Sequence, residues 1–502
     1  MDLSSAVTAT VSTLRRRPAD LIPFYLLGTA VPVIARLGLL VALAGVYLHF
    51  EVTGRLATAR EALAELDLTP PDVEDPEAVQ AWGESLAPAL EPLASPTALL
   101  LITAGTAATV VIALLAYAAV SAGQMSAVVA RLRDERGLTA GIAGVRRRWL
   151  TFLGLYLAEF LLWIAVLVFA SVAVALAFLV NPFAGAAVAL VTLLVGFVVL
   201  LAVRILFAFA PSAVVVDDSG VAGSLSGAVG FVRSNPADAA AYLVVSVGVL
   251  VGISSAASAL AFLGGGAAVA LVSAVVVAPA LDLLKTVLYG DYRGTVDPVD
   301  PPSIRLRDQF TGGIRRGWRE LLAFVRRAPG LHALTVVIGV GFGALGWLAV
   351  EPFVGAVTTS IESRLVGHIA PTAALNFFGN NWSVAIATSL SGVALVIPAL
   401  SSIAFNGFAL GATAALEENL LALLAFVAPH GILEIPALFI SGALGVHLGL
   451  VSWGAFRGRR SREAFADALE TAFWVLMGIG VLLAVAGLIE GFVSPYYWRP
   501  FV

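Results

Sequence analysis

The chain has 502 residues, of which 60% are hydrophobic and 12% charged, with a mean hydropathy of +0.96 and a formal net charge of -4. A soluble domain carries roughly 25% charge, so the composition is that of an integral membrane protein. There is no cysteine, which excludes disulfides, thiolate nucleophiles and thiolate metal sites.

From the N-terminus, Arg15, Arg16 and Arg17 precede a long apolar run. No short h-region with a small-residue cleavage site follows, so the run is expected to be a retained first span rather than a cleavable signal. Apolar segments near 21–49, 97–122, 149–180, 184–210, 239–263, 266–289, 331–352, 382–404, 407–428, 431–454 and 471–493 predict eleven spans. The expected fold is an all-α, polytopic transmembrane helix bundle with interfacial amphipathic helices. With the N-terminus inside, 22 of the 29 basic residues fall on the cytoplasmic side, among them Arg131, Arg133, Arg136, Arg233, Arg293, Arg305 and Arg457. The positive-inside rule therefore predicts a plasma-membrane protein with a cytoplasmic N-terminus and an extracytoplasmic C-terminus.

The sizeable polar insert, 50–96, is acidic. Glu51, Glu61, Glu65, Asp67, Asp72, Glu74, Asp75, Glu77, Glu84 and Glu91 face only Arg55 and Arg60. Leu56, Leu63 and Leu66 predict a short surface helix. The insert reads either as a solvated acidic face or as a docking surface for a basic partner or cation.

Four basic clusters punctuate the chain: Arg15-Arg16-Arg17-Pro18, Arg146-Arg147-Arg148-Trp149, Arg233-Ser234-Asn235-Pro236 and Arg326-Arg327-Ala328-Pro329. Their starts are 131, 87 and 93 residues apart, and removing the 47-residue insert reduces the first gap to 84. The predicted unit is an interfacial helix followed by two spans. Its arginines meet anionic head groups and the helix C-terminus, and proline starts the next helix. This pattern weakly resembles the membrane domain found beside some glycerophosphodiester phosphodiesterases. The phosphodiesterase catalytic domain is not in this sequence, so that activity does not carry over. Asp297-Pro298, Asp300-Pro301-Pro302 and Gly312-Gly313 read as a cytoplasmic linker, with Trp318 to Arg327 as another interfacial helix. The expected domains are 1–304, with six spans, and 305–502, with five.

Charges inside the spans are few. Glu159 and Arg204 are placed as an interhelical pair, and Asp282 and Lys285 as an i,i+3 pair with a snorkelling lysine. His49, His332, His368 and His447 stand singly and read as structural or interfacial. Gly339/Gly343, Gly407/Gly411, Gly445/Gly449 and Gly487/Gly491 are small-xxx-small pairs, suited equally to the internal bundle and to a dimer face. Trp474, Trp498, Tyr496 and Tyr497 read as interfacial anchors. Glu417, Glu418 and Asn419 would fall near the midplane if 407–428 were one helix. Two half-helices meeting at a polar break, or a cytoplasmic turn, would remove that cost.

Residues 429–437 read PHGILEIPA. At helical spacing His430 and Glu434 share a face, and ionisable groups at membrane depth are costly and tend to be functional. The predicted topology puts Asn381, Glu351 and Glu490 in the same leaflet. Histidine and carboxylates can hold a divalent metal or pass a proton. One histidine and one acid are a thin set for zinc, which takes at least three protein ligands, and there is no HExxH arrangement. Hydrogen bonding to neighbouring helices around Gly431, an ion or proton site, and a hydrolytic centre all stay open.

Around this segment stand Phe378 with Asn381, Asn406-Gly407, Gly411, Ser441-Gly442, Gly445, Gly449 and Ile489-Glu490-Gly491-Phe492. Over residues 320–502 the chain thereby resembles the stage II sporulation protein M family of polytopic membrane proteins. The resemblance implies a non-enzymatic scaffold or anchor for an envelope-associated complex. The alternatives are a transporter or export permease component and, third, an intramembrane metal-dependent enzyme using His430 and Glu434. The polar residues expected to matter are His430, Glu434, Asn381, Asn406, Glu490 and Glu351, with Glu417 and Glu418 as secondary candidates. No catalytic residue, metal site or cofactor is assigned. Expected partners are membrane lipids, other membrane or envelope proteins and a second copy of the chain, with no nucleic acid.

Overall fold

The computed structural model describes residues 2–66, 75–262, 266–296, 301–355 and 357–501. Asp67, Asp72 and Glu74 of the acidic insert, and Asp297, Pro298 and Asp300 of the linker, lie outside the described residues. Most of the described residues are helical. The first half contains α1 (Leu3–Arg16), α2 (Ile22–Ala35), α3 (Leu37–Val52), α4 (Arg55–Ala64), α5 (Pro76–Ser85), α6 (Ala87–Leu90), α7 (Pro96–Leu132), α8 (Gly137–Val180), α9 (Pro182–Val216), α10 (Val221–Ser234), α11 (Pro236–Phe262), α12 (Ala267–Val272) and α13 (Ala278–Tyr292). The second contains α14 (Leu306–Arg327), α15 (Pro329–Val350), α16 (Ile361–Arg364), α17 (Ala370–Ser391), α18 (Ile397–Ala415), α19 (Leu420–Phe456), α20 (Arg462–Phe492) and α21 (Ser494–Tyr497).

Among the described residues, 10 candidate spans are long and apolar enough to cross a membrane. This is a multi-pass membrane protein. The expected count of eleven differs by α17, a 22-residue helix carrying Asn376, Asn380 and Asn381. It packs against α2, α12, α19 and α20, which leaves Asn376 and Asn381 half-buried and Asn380 exposed. The boundaries in the C-terminal half also shift. The expected spans 382–404, 407–428 and 431–454 are replaced by α17, α18 and α19. Residues 416–419 form the turn between α18 and α19, and PHGILEIPA lies inside one continuous 37-residue helix. Pro429 and Pro436 do not end it. Proline is tolerated in membrane helices because neighbouring groups satisfy the freed carbonyls.

The repeated basic clusters show what proline decides. At Pro18, Pro236 and Pro329 an amphipathic helix stops and a new one begins, because the ring lacks an N–H and clashes with the preceding turn. Trp149 imposes neither constraint. There the surface helix and its span fuse into the 44-residue α8. Helix α14 starts at Leu306 and runs through Gly312 and Gly313, which the linker reading had placed in a loop. Packing offsets the helix penalty of glycine. A Cβ on Gly317 would come within 3.0 Å of Gly478 N on α20, and the Arg316 guanidinium lies 4.4 Å from the Trp474 ring centroid. Trp474 is thus held under α14. Trp498 is buried with Ile361, Leu423 and Phe426, which corrects its reading as an exposed anchor; Tyr496 and Tyr497 stay exposed.

All four glycine pairs are used within the bundle. Cβ atoms on Gly407 and Gly411 would collide with the carbonyl oxygens of Gly339 and Gly343, so α15 and α18 touch backbone to backbone. Gly445 and Gly449 pack on residues 388–399, and Gly487 and Gly491 on Ala374 and its neighbours. Glu159 and Arg204 pair at 3.3 Å. Lys285 does not snorkel. Its Nζ lies 2.6 Å from Asp282 Oδ1 in largely buried surroundings, and Asp282 Oδ2 accepts from the Tyr25 hydroxyl at 2.8 Å.

The described part of the acidic insert folds on itself. Helix α4 packs against α6 and the turn that follows it, and Arg55 donates to the Pro92 carbonyl at 2.7 Å. At its base His49 and Ser95 are hydrogen-bonded at 3.0 Å. Replacing residues 54–94 with a short polar linker, keeping His49 and Ser95, is therefore expected to leave a monodisperse protein in detergent. Size-exclusion chromatography checks this, and aggregation of the shortened chain would show that the insert supports the bundle.

A buried histidine and two carboxylates form the candidate functional site

Helices α19 and α20 bring three titratable side chains together. His430 and Glu434, one turn apart on α19, face Glu490 near the end of α20. One ligand atom from each lies within 4.8 Å of the others. The His430 Nε2 to Glu490 Oε1 distance is 3.9 Å, and these two side chains are only 6% and 12% exposed. His430 Nδ1 is hydrogen-bonded to Ser494 Oγ on α21 at 2.9 Å. That bond orients the ring and leaves Nε2 on the carboxylate side, as second-shell partners do for metal-binding histidines. Phe426 meets the ring edge-on from the preceding turn.

The carboxylates are incompletely satisfied. Glu434 Oε2 and Glu490 Oε2 are buried and have no hydrogen-bond partner. An unpaired buried acceptor costs about 1–3 kcal/mol, and two carboxylates in one site repel when both are ionised. A cation or a shared proton removes both penalties. One imidazole nitrogen and two carboxylate oxygens make a mixed N/O donor set, which fits zinc or manganese better than a thiolate-seeking metal. Three protein ligands with an open position is also the composition of reactive zinc sites.

The other expected residues go elsewhere. Asn381 on α17 accepts from Asn380 Nδ2 at 3.2 Å, and Asn406 on α18 donates to the Ser402 carbonyl at 2.8 Å. Glu351 is exposed at the end of α15. The leaflet-wide convergence therefore contracts to His430, Glu434 and Glu490. Topology placed these groups at one end of the bundle, but which side chains meet depends on helix rotation.

Glu417 and Glu418 occupy the turn between α18 and α19 and not a break within one spanning helix. Glu417 Oε2 accepts from Thr359 Oγ1 and from Arg364, both at 3.0 Å, so it clamps the 351–369 connection; Glu418 is exposed. The single histidines are structural. His368 bonds the Gly491 carbonyl at 2.9 Å, His332 bonds the Ala328 carbonyl at 2.6 Å, and His447 packs on Phe324. Sequence reasoning missed Ser494, whose short side chain carries no periodic signal. It also passed over Arg36, a lone charge within the first span.

With this geometry in place, comparison with known families is informative. Residues 4–294 match the family of unknown function DUF7544, and residues 333–495 match Stage II sporulation protein M. The chain belongs to the DUF7544 family through its N-terminal part and to the stage II sporulation protein M family through its C-terminal part. His430, Glu434, Glu490 and Ser494 all fall within the sporulation protein M segment. The resemblance of the first half to the membrane domain beside glycerophosphodiester phosphodiesterases gains no support from its match. No curated protein and no solved structure matches the chain.

Proposed function

We propose that the stage II sporulation protein M domain of this chain is built around a divalent-cation centre, and that the protein works as a transport or export component of the membrane. The convergence of His430, Glu434 and Glu490 carries this reading. A passive anchor needs recognition surfaces, whereas ionisable groups inside a bundle cost stability and mark ion pathways and proton relays. In this reading residues 1–304 and 305–502 are two membrane units, with the cation site in the second. The N-terminus is cytoplasmic, as the arginine distribution favours.

A scaffold for an envelope complex is the second reading. The exposed acidic residues of α4 and α5, Glu61, Glu77 and Glu84, favour it as a docking face.

Melting of the chelator-treated protein with and without zinc or manganese tests the cation site. A ligand at 100 times its Kd stabilises by about 2.7 kcal/mol. The expected result is a metal-dependent rise in Tm that is absent in His430→Gln and Glu490→Gln. The rise should also fade on acidification, because protons compete for the same donors. A wild type indifferent to these ions would remove the site. Flux of the stabilising ion into vesicles reconstituted with the protein tests transport, and binding without flux would favour the scaffold.

A further inference from the structure

The first span contains an arginine whose side chain has no partner among the described residues. Arg36 sits at the joint between α2 and α3, after the intrahelical Pro32. It lies 14 residues from Ile22 and 16 from Val52, the ends of that candidate span. At 1.5 Å per residue these separations are about 21 and 24 Å, well beyond what an arginine side chain bridges by snorkelling. Among the described residues its guanidinium has no hydrogen bond or ion pair. Three cations deep in or near the ends of other candidate spans are paired: Arg148 with Asp218, Arg204 with Glu159 and Lys285 with Asp282. A charge at membrane depth without a partner is several kcal/mol unfavourable, so its retention calls for a counter-ion from outside the chain.

Arg36 lines a groove of about 780 Å³ where the two halves of the molecule meet, between α2, α3 and α12 on one side and α17 and α18 on the other. The volume is that of a small-molecule site. Most of the groove's hydroxyls are already bonded within the protein: Thr29, Ser383 and Ser401 donate to carbonyls of their own helices, and Ser402 shares a hydrogen bond with Thr388. Asn406 uses Nδ2 on the Ser402 carbonyl. Among the described residues lining the groove, Arg36 is therefore the one charge and the largest set of uncommitted N–H donors. The walls are otherwise apolar, and Leu40 and Phe405 are among the exposed large hydrophobics. An apolar groove with one guanidinium suits a ligand with one anionic group and a hydrocarbon body. Guanidinium binds phosphate bidentately.

We propose that this groove binds a phosphate-bearing amphiphile of net negative charge, with Arg36 as the counter-ion of its head group. The site is separate from the His430 cluster and does not depend on the cation reading. The ligand arrives laterally from the bilayer, its chains lie along Leu40 and Phe405, and its phosphate reaches Arg36.

Native mass spectrometry of the delipidated full-length protein provides the test, with phosphatidylglycerol, phosphatidylcholine and inorganic phosphate as probes. Phosphatidylglycerol is expected to bind more tightly than phosphatidylcholine, and inorganic phosphate alone not to bind. Losing a hydrogen-bonded charged partner corresponds to an affinity loss of about tenfold or more, so Arg36→Gln should weaken phosphatidylglycerol by that factor and Arg36→Lys by less. Ala387→Phe, which fills the groove from α17 with Arg36 intact, should also abolish binding. It keeps the test decisive if Arg36→Gln does not fold. Unchanged phosphatidylglycerol affinity in Arg36→Gln or Ala387→Phe would overturn the proposal. So would equal affinity for the two lipids, or saturation by inorganic phosphate alone.

Discussion

Gly411→Leu is expected to abolish the native packing of the C-terminal domain. A Cβ at position 411 would overlap the Gly343 carbonyl oxygen and stand within 2.9 Å of Gly343 Cα. Both are backbone atoms, so no rotamer change relieves the clash. Helices α15 and α18 would have to separate along the whole contact that Gly339, Gly343, Gly407 and Gly411 create. Overpacking a core typically costs about 1–3 kcal/mol, and a rigid backbone clash belongs at or beyond the top of that range. In a membrane the loss is not recovered by hydrophobic re-collapse, because helix association there rests on close van der Waals contact. Gly341→Leu on the partner helix α15 is the control, since a Cβ there meets nothing within 4 Å. Thermal melting in detergent should show a large loss for the first variant and little change for the second. Equal melting of the two would mean that the glycine contact does not hold the domain together.

Asp20→Ala is expected to be the most damaging substitution in the first half. Asp20 lies between α1 and α2, and its carboxylate accepts from the backbone N–H groups of Gly137 at 2.7 Å and Leu138 at 3.0 Å. It thereby caps the N-terminus of α8, where a negative charge complements the helix dipole. It also stands 3.8 Å from Nε of Arg131, whose side chain is 1% exposed. Arg131 was one of the arginines that set the predicted orientation, yet it is buried within the fold. Its remaining bonds go to the Glu135 carbonyl at 2.7 Å and to Asp134 at 3.4 Å. Removing Asp20 takes away the buried charge partner of Arg131 and leaves it the exposed Asp134, and breaking a buried pair costs about 3–5 kcal/mol. Asp20→Asn should retain part of the cap and lose the charge. Asp20→Ala combined with Arg131→Met should recover much of the loss, because the stranded charge is gone. Calorimetry or denaturant melts measure the series. A double variant no more stable than Asp20→Ala would show that the cap, and not the ion pair, is what matters.

These two sites differ in how far the sequence revealed them. The spacing of Gly339/Gly343 and Gly407/Gly411 announced close helix packing but not its partner. One stripe pattern serves a dimer and an internal contact equally, and only the fold shows that the two stripes meet each other. Asp20 gave no signal, because its role depends on an α8 N-terminus more than a hundred residues away.

Much of the architecture was nonetheless set by composition and punctuation. Apolar runs exceed bilayer thickness, so an all-α multi-pass protein follows, since only helices or closed barrels satisfy the backbone in lipid. Proline after the arginine clusters fixed three helix starts, and tryptophan at 149 let the fourth run through, both for local steric reasons. The family of the C-terminal domain was legible in PHGILEIPA and its surrounding glycines. Tertiary structure decided what local chemistry could not. It placed Glu417 in a turn clamped by Arg364, packed α17 against helices of both halves, and drew Glu490 and Ser494 to His430 while sending Asn381 and Glu351 elsewhere. It also exposed Arg36 to a groove made by both halves. Each of these outcomes depends on which face a helix turns toward its neighbours. Hydropathy fixes that a helix crosses the bilayer, whereas its rotation is settled by side-chain packing between segments far apart in the chain.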